Sequence, residues 1–313
     1  MIVLSCWLAV FSARDRLRAE EPGAPPQAAV EIIGYLPGYR FESFDYEQAE
    51  LVSDVVLFSV EPRPDASLDE TRLPEARIQS AVTRIRQRGA RVQVTVGGWG
   101  ESAAFPAVTA DKTLRLRLAR NVADYCEQHG FDGVDINWEH PTNHEERQNL
   151  GRFLANLKSA LQPSQRQISL AVTAGDTFDS QTLASVDRFH LMAYDNGGRH
   201  STLAQARSAI QSLRDHEVPA DKICLGMPFY GRPFRGPFGA ATTYRDIVQR
   251  YQPALEDDEV AGIYFNGPET VAAKVHLARQ LGLAGVMIWE LGQDVSDADR
   301  SLLQAIHRAS RSP

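Results

Sequence analysis

A single-domain α/β fold, a closed (β/α)8 or TIM barrel, is what this sequence predicts, on three observations. From residue 31 onward short β-rich runs alternate with helical patterns, and eight such runs stand at 31–36, 54–60, 90–96, 132–138, 167–173, 188–194, 222–229 and 284–290. Parallel strands need long, usually helical, crossovers, and eight strand-plus-helix units over about 280 residues suit one barrel. The first run leads into Tyr35, Pro37 and Gly38 with no GxGxxG turn, which counts against a doubly wound open sheet. Finally, the residues hardest to explain as packing fall at the C-terminal ends of the runs: Tyr35, Gly97 and Gly98 before Trp99, Glu139, Tyr194 with Asp195, Tyr230 and Trp289. A barrel collects its site at that end.

In chain order, residues 2–13 form an apolar run of signal-peptide length, too short to span a bilayer as a helix. It implies export, to the periplasm or outside the cell, although Arg14, Arg16 and Arg18 follow the run and no Lys or Arg precedes it. Pro22, Pro25 and Pro26 then mark a linker, so 1–28 are expected to be leader and linker and 29–313 the barrel. Helical patterns at 75–88, 112–129, 145–161, 202–216, 269–281 and 298–309 fill the gaps between strands. The segments after the first and fifth runs are shorter and carry no clear helix.

Composition excludes some partners. With 43% hydrophobic and 23% charged residues the chain has material for a full core. A net charge of −7 argues against a nucleic-acid partner, which demands a concentrated basic surface. Arg115, Arg117 and Arg120 sit at helical spacing among leucines and read as a solvated helix face. Cys6, Cys126 and Cys224 have neither metal-ligand spacing nor a disulfide framework, so two buried thiols are expected in the barrel and no metal or cofactor.

The stretch FDGVDINWEHP, residues 131–141, carries the chemistry. Val134, Ile136 and Trp138 alternate with Asp135, Asn137 and Glu139, and a period of two describes a strand with opposite faces. A solvated edge strand has the same pattern. Helical stretches on both sides favour a covered parallel sheet, so the polar row points inward or into a cleft, where buried carboxylates must be paired or used. Asp132 has the opposite parity and reads as structural. His190 shares the parity of Met192 and Tyr194 and reads as a core histidine. A cleft rich in aromatics and acids suits a sugar.

Five segments in order resemble glycoside hydrolase family 18, the chitinase and chitinase-like family: TVGGWG at 95–100, DGVDINWE at 132–139, MAYD at 192–195, LGMPFYGRPF at 225–234 and GVMIWEL at 285–291. The resemblance spans nearly the whole barrel. It implies a glycan containing N-acetylglucosamine as partner, and Glu139 as the acid that protonates the glycosidic oxygen and then activates water. In this family the substrate assists, its acetamido oxygen replacing an enzymic nucleophile. Tyr194 is then implied as donor to the acetamido carbonyl, Asp195 as a holder of nearby hydroxyls, Asp135 as buried support and Trp289 as the sugar's floor. Tyr35 and Trp99 are implied as subsite walls, and Gly98, Met192 and Tyr230 as further substrate-binding positions. Tyr194 or Trp289 as plain core, and Asp195 as a turn residue, remain alternatives.

One departure stands out. The family has Asp where this chain has Asn137, so orientation of the acetamido group survives while a full charge is lost. A hydrolase of β-1,4-linked N-acetylglucosamine is therefore expected to be slowed. The alternatives are a lectin-like binder without turnover and an N-acetylglucosaminidase directed at peptidoglycan. Residues 236–262 are too few for the α+β domain that many members insert after the seventh strand, which implies an open groove.

Overall fold

The computed structural model describes residues 30–235 and 239–312; the leader and linker expected at 1–28 lie outside the described residues. Eight parallel strands form the barrel: β1 (Glu31–Pro37), β2 (Asp54–Pro62), β3 (Arg91–Gly97), β4 (Gly133–Asn137), β5 (Gln167–Val172), β6 (Arg188–Leu191), β7 (Ile223–Pro228) and β8 (Gly285–Trp289). Each pairs with its sequence neighbours, and β1 pairs with both β2 (Ile33↔Asp54) and β8 (Glu31↔Gly285), which closes the ring. All eight expected strands are present.

The helices are α1 (Glu75–Arg86), α2 (Phe105–Ala110), α3 (Lys112–His129), α4 (His144–Leu161), α5 (Ser180–Ser185), α6 (Leu203–Asp215), α7 (Tyr244–Tyr251), α8 (Pro268–Gln280) and α9 (Leu302–Arg311). Their starts are written in the sequence. Asp111 accepts from Leu114 N, Asn143 accepts from Glu146 N, and Thr202 with Gln205 makes a capping box, each cap contributing about 1 kcal/mol. The gap after β1 holds only 3-10 turns, Gly38–Arg40 and Tyr46–Leu51, and that after β5 only the six-residue α5. The final helix starts at Leu302 rather than at 298, because Ser301 is its cap and accepts from Gln304 N.

Between β7 and α8 the chain does more than loop. Strands of two to four residues, Tyr230–Pro233, Thr242–Thr243, Glu259–Val260 and Ile263–Tyr264, form a small antiparallel sheet beside α7. It is a rim structure on the site end of the barrel.

Period-two alternation divides the core. Outward residues such as Val134, Ile136 and Trp138 join the large cluster beneath the helices, where Trp138 stacks on Phe105 with centroids 5.3 Å apart. Inward residues Tyr35, Phe58, Cys224 and Met287 make a second cluster inside the ring. Cys126 and Cys224 are both buried and free. Among the described residues no helix is long and apolar enough to cross a membrane. A depression of about 760 Å³ opens at the N-terminal end of the barrel, lined partly by Asp54, Arg91, Lys158, Asp187 and Arg188. Its charges pair internally, Arg91 with Asp54, Lys158 with Asp187, and Arg188 with Glu31.

Asp132 is structural, as its parity implied: it accepts from Val92 N at 2.8 Å and pairs with Arg86 of α1. Asp294 performs the analogous task at the chain's end. It is 2% exposed and accepts from Ser301 Oγ and the N–H groups of Val295, Leu302 and Leu303. Asp294→Ala leaves those donors buried and unpartnered, and we expect urea unfolding to show a loss of about 3 kcal/mol. An unchanged unfolding free energy would contradict this account of how α9 is fastened.

Candidate active site

The mouth of the barrel is built from the ends of β3, β4, β6 and β8. β4 ends at Asn137, and the next two residues continue its parity, Trp138 outward and Glu139 at the mouth. The Glu139 side chain is 12% exposed, and its backbone N–H donates to Ser102 Oγ at 3.0 Å. Ser102 Oγ is also within 3.1 and 3.2 Å of the Gly98 and Asn137 carbonyls, so it splices the loop after β3 to the end of β4. Two glycines permit that approach. A Cβ at Gly97 (φ 95°) would lie 2.3 Å from Asn137 O, and one at Gly98 (φ 117°) would strike the Phe58 ring.

The environment of Glu139 raises its carboxyl above the ordinary value. Burial raises its carboxyl first, the charges of Asp195 and Asp135 act in the same direction, and His140 and the Asn137 amide pull it down. His140 Nε2 lies 4.0 Å from Glu139 Oε2 and is the half-exposed neighbour of this pair. Asn137 is 3% exposed, and its Oδ1 is buried with no hydrogen-bond partner among the described residues. An orphaned acceptor of this kind is costly and marks a place where a donor belongs.

One layer below, Asp135 is 0% exposed and accepts from Ser169 Oγ at 2.8 Å and Thr95 Oγ1 at 3.1 Å. His190 Nδ1 lies 3.3 Å from Asp135 and 2.7 Å from the Tyr35 hydroxyl. His190 is therefore a partnered core histidine. Tyr35, expected as a subsite wall, is 2% exposed and packs against Trp289, centroids 5.6 Å apart. The strand runs on to Pro37, which leaves Tyr35 a layer down. Trp289 itself is half-buried on the last strand, edge-on to Phe58 at 4.7 Å.

Past β6, the Tyr194 hydroxyl lies 3.9 Å from Met287 Sδ, its one hydrogen-bond contact among the described residues. Burial, then the charges of Glu139, Asp195 and Asp135, push the phenol well up, so it stays a donor. Asp195 adopts φ 59° and meets Arg232 through two bonds, 2.9 and 3.0 Å. Burial pulls its carboxyl up, yet bonds from His200, Arg232 and Tyr230 prevail and hold it at about 2. Tyr230 is 3% exposed and lies edge-on to Tyr194 at 6.3 Å. Gly98 is likewise buried, Met192 is half-buried in the inner cluster, and Trp99 is 80% exposed on the rim.

Several participants escaped sequence reasoning. Arg232 lies inside the PFYGRPF segment, Ser102 follows Trp99 by three residues and His140 follows Glu139 directly, so proximity to a motif was the available signal. Glu290, 1% exposed, receives Tyr39 Oη and Arg40 Nε and ties the loop after β1 to the end of β8. Nothing in the sequence flags that link.

The chain is 28% identical over 280 residues to Chitinase 1 of Aphanocladium album, covering 71% of this chain and 66% of that protein. It is 26% identical over 270 residues to Endochitinase 1 of Metarhizium robertsii, covering 68% and 63%. The chain thus spans slightly less than two thirds of the length of these relatives. Among solved structures, a chitinase from the chitin utilization locus of Flavobacterium johnsoniae superposes with a TM-score of 0.80 at 24% identity, covering 90% of this chain and 94% of that one. A class V chitinase mutant from Cycas revoluta in complex with (GlcNAc)3 does so at 0.77 and 19% identity, covering 89% and 99%. These superpositions speak to the barrel. Residues 32–294 match the model for glycosyl hydrolases family 18, and the chain belongs to that family.

Proposed function

We propose that this protein is a retaining glycosidase that cleaves β-1,4-linked N-acetylglucosamine glycans, chitin or chitooligosaccharides, with Glu139 as general acid and base. The observation that carries the reading is the half-buried Glu139 carboxyl at the mouth, raised by burial, with no second free carboxylate beside it. Ordinary retaining enzymes place a carboxylate nucleophile about 5 Å from the acid. Here Asp135 is buried and committed to Thr95 and Ser169, Asp195 is committed to Arg232, and position 137 is an amide. Among the described residues these commitments support a nucleophile supplied by the substrate.

In this mechanism Glu139 gives its proton to the glycosidic oxygen while the acetamido carbonyl oxygen attacks the anomeric carbon. The aglycone leaves and an oxazolinium ion remains. Tyr194 donates to the acetamido carbonyl, and the orphaned Asn137 Oδ1 accepts the acetamido N–H. Glu139, now a carboxylate, takes a proton from water, whose oxygen attacks the anomeric carbon and restores the acetamido group with retention. Trp289 forms the floor, and Trp99 offers a stacking face on the rim. The Cycas relative's complex with (GlcNAc)3 supports the ligand class. The apolar run at 2–13 supports action outside the cytoplasm.

Asn137 favours a second reading, a binder without turnover, because the positive intermediate meets an amide dipole in place of a charge. Mass spectrometry of products from chitooligosaccharides and peptidoglycan, incubated in parallel, separates these cases. We expect Glu139→Gln to lower product formation at least about 100-fold while calorimetry still detects oligosaccharide binding. A parent protein that releases no product at any pH establishes the binder instead.

Asn137→Asp is expected to raise kcat by about tenfold, the difference between a charge-assisted and a neutral hydrogen bond. An equal or lower rate sinks the role assigned to position 137. Because kcat/KM requires protonated Glu139, activity is lost as pH rises through its raised pKa. His140→Gln removes the neighbour that lowers that pKa, so the alkaline limb of the profile should move to higher pH. A limb that stays put or moves down shows that the titrating group is not Glu139.

A further inference from the structure

Lys274 on α8 is 0% exposed, and its ammonium makes three hydrogen bonds: to Ser201 O and Oγ, both 2.8 Å, and to Asn266 Oδ1, 2.7 Å. All three acceptors are neutral. The carboxylate acting on it, Asp258, is itself engaged with Gly267 N and Thr270 Oγ1. Burial pulls the ammonium down to about 7. Burying a lysine without a bonded counter-ion is unfavourable, and such a group repays a search for what it holds.

What it holds leads to the site. An ammonium only donates, so Ser201 Oγ must accept from it and direct its own proton elsewhere. That proton goes to Ala193 O at 2.9 Å, the carbonyl immediately before Tyr194. This segment lacks strand support. β6 stops at Leu191, and Met192 N to Val172 O is the next bond toward β5. Asn266 Nδ2 also donates to Ser201 O at 2.8 Å, fixing the far side of the loop that starts at Asp195. Within that loop Asn196 bonds His200 O, and His200 Nδ1 faces Asp195 Oδ1 at 3.5 Å.

We propose that Lys274 is a positioning residue for this site, holding Tyr194 and Asp195 in place through the directed hydroxyl of Ser201. The inference rests on the role proposed for Tyr194. Lys274 touches no substrate; it takes the place of the ladder that β6 does not extend.

The test uses the full chain and an N-acetylglucosamine tetramer, with folding checked by circular dichroism. Lys274→Met should lower kcat by about 100-fold, the cost of a displacement near 1 Å at a reacting group, with KM little changed. In a Tyr194→Phe background the same substitution should cost no more than about twofold, because coupled residues are not additive. An equal loss in both backgrounds, or no loss in the parent, overturns the proposal. A Tyr194→Phe that leaves kcat unchanged overturns the reading of the site itself. If Lys274→Met does not fold, Ser201→Ala cuts the same chain of bonds and is held to the same two outcomes.

Discussion

A carboxylate sits at the centre of this barrel, and satisfying it organises the residues around the mouth. Asp135 has no water to turn to, so its oxygens take Thr95 from β3 and Ser169 from β5, and His190 from β6 closes on it at 3.3 Å. His190 in turn meets the Tyr35 hydroxyl on β1, and the Tyr35 ring underlies Trp289 on β8. One buried charge thus fixes side chains on six of the eight strands. Removing it would strand three polar partners in the interior, each costing more than a lost surface bond.

That charge is also felt above. It acts on Glu139 and Tyr194 alike, pushing both toward their protonated forms, although burial is the larger cause in each. In the proposed reaction both groups must begin protonated, the one to give its proton and the other to hold its hydrogen bond. The amide at 137 adds no charge of its own. The negative potential available to a cationic intermediate in the proposed reaction then comes from the surrounding carboxylates, Glu139 after it has given its proton, Asp195 and the deeper Asp135, and not from position 137. This is the physical content of the Asn-for-Asp departure: geometry is retained and field strength is reduced.

Much of the architecture was legible because its causes are local. Alternation of Val134, Ile136 and Trp138 with Asp135, Asn137 and Glu139 identified β4, its inward face and its mouth-facing acid together. Val- and Ile-rich runs and helical periodicity placed strands and helices, and the structure adds the caps Asp111 and Asn143 at the helix starts. The misses have a common origin in distance along the chain. The burial of Tyr35, which lies near a strand end, comes from the ladder with β2, which continues from Tyr35↔Val56 to Pro37↔Phe58. The last helix was started early because Asp294, which accepts from its first N–H groups, lies outside the helical pattern. Pairings such as Arg232 with Asp195, or Lys274 with Ser201, join residues 37 and 73 positions apart, and no local pattern encodes them.

Ring closure carries the last step. In a closed ring of eight strands, those four apart face each other, so β4 lies opposite β8 and β3 opposite β7. The first pair sets Glu139 across the mouth from Trp289. The second sets the Trp99 loop across from the small sheet that follows β7. That sheet is not independent of the chemistry: Arg232, which grips Asp195, also donates to Gly239 O at 2.9 Å. Arg232 therefore ties the loops after β6 and β7 together, while the Trp99 loop is fastened by Ser102 and by the pairing of Glu101 with Arg72. Both sides of the mouth are thus tied to residues of the candidate site, one through the Arg232 grip on Asp195 and the other through Ser102, which accepts from the Glu139 N–H.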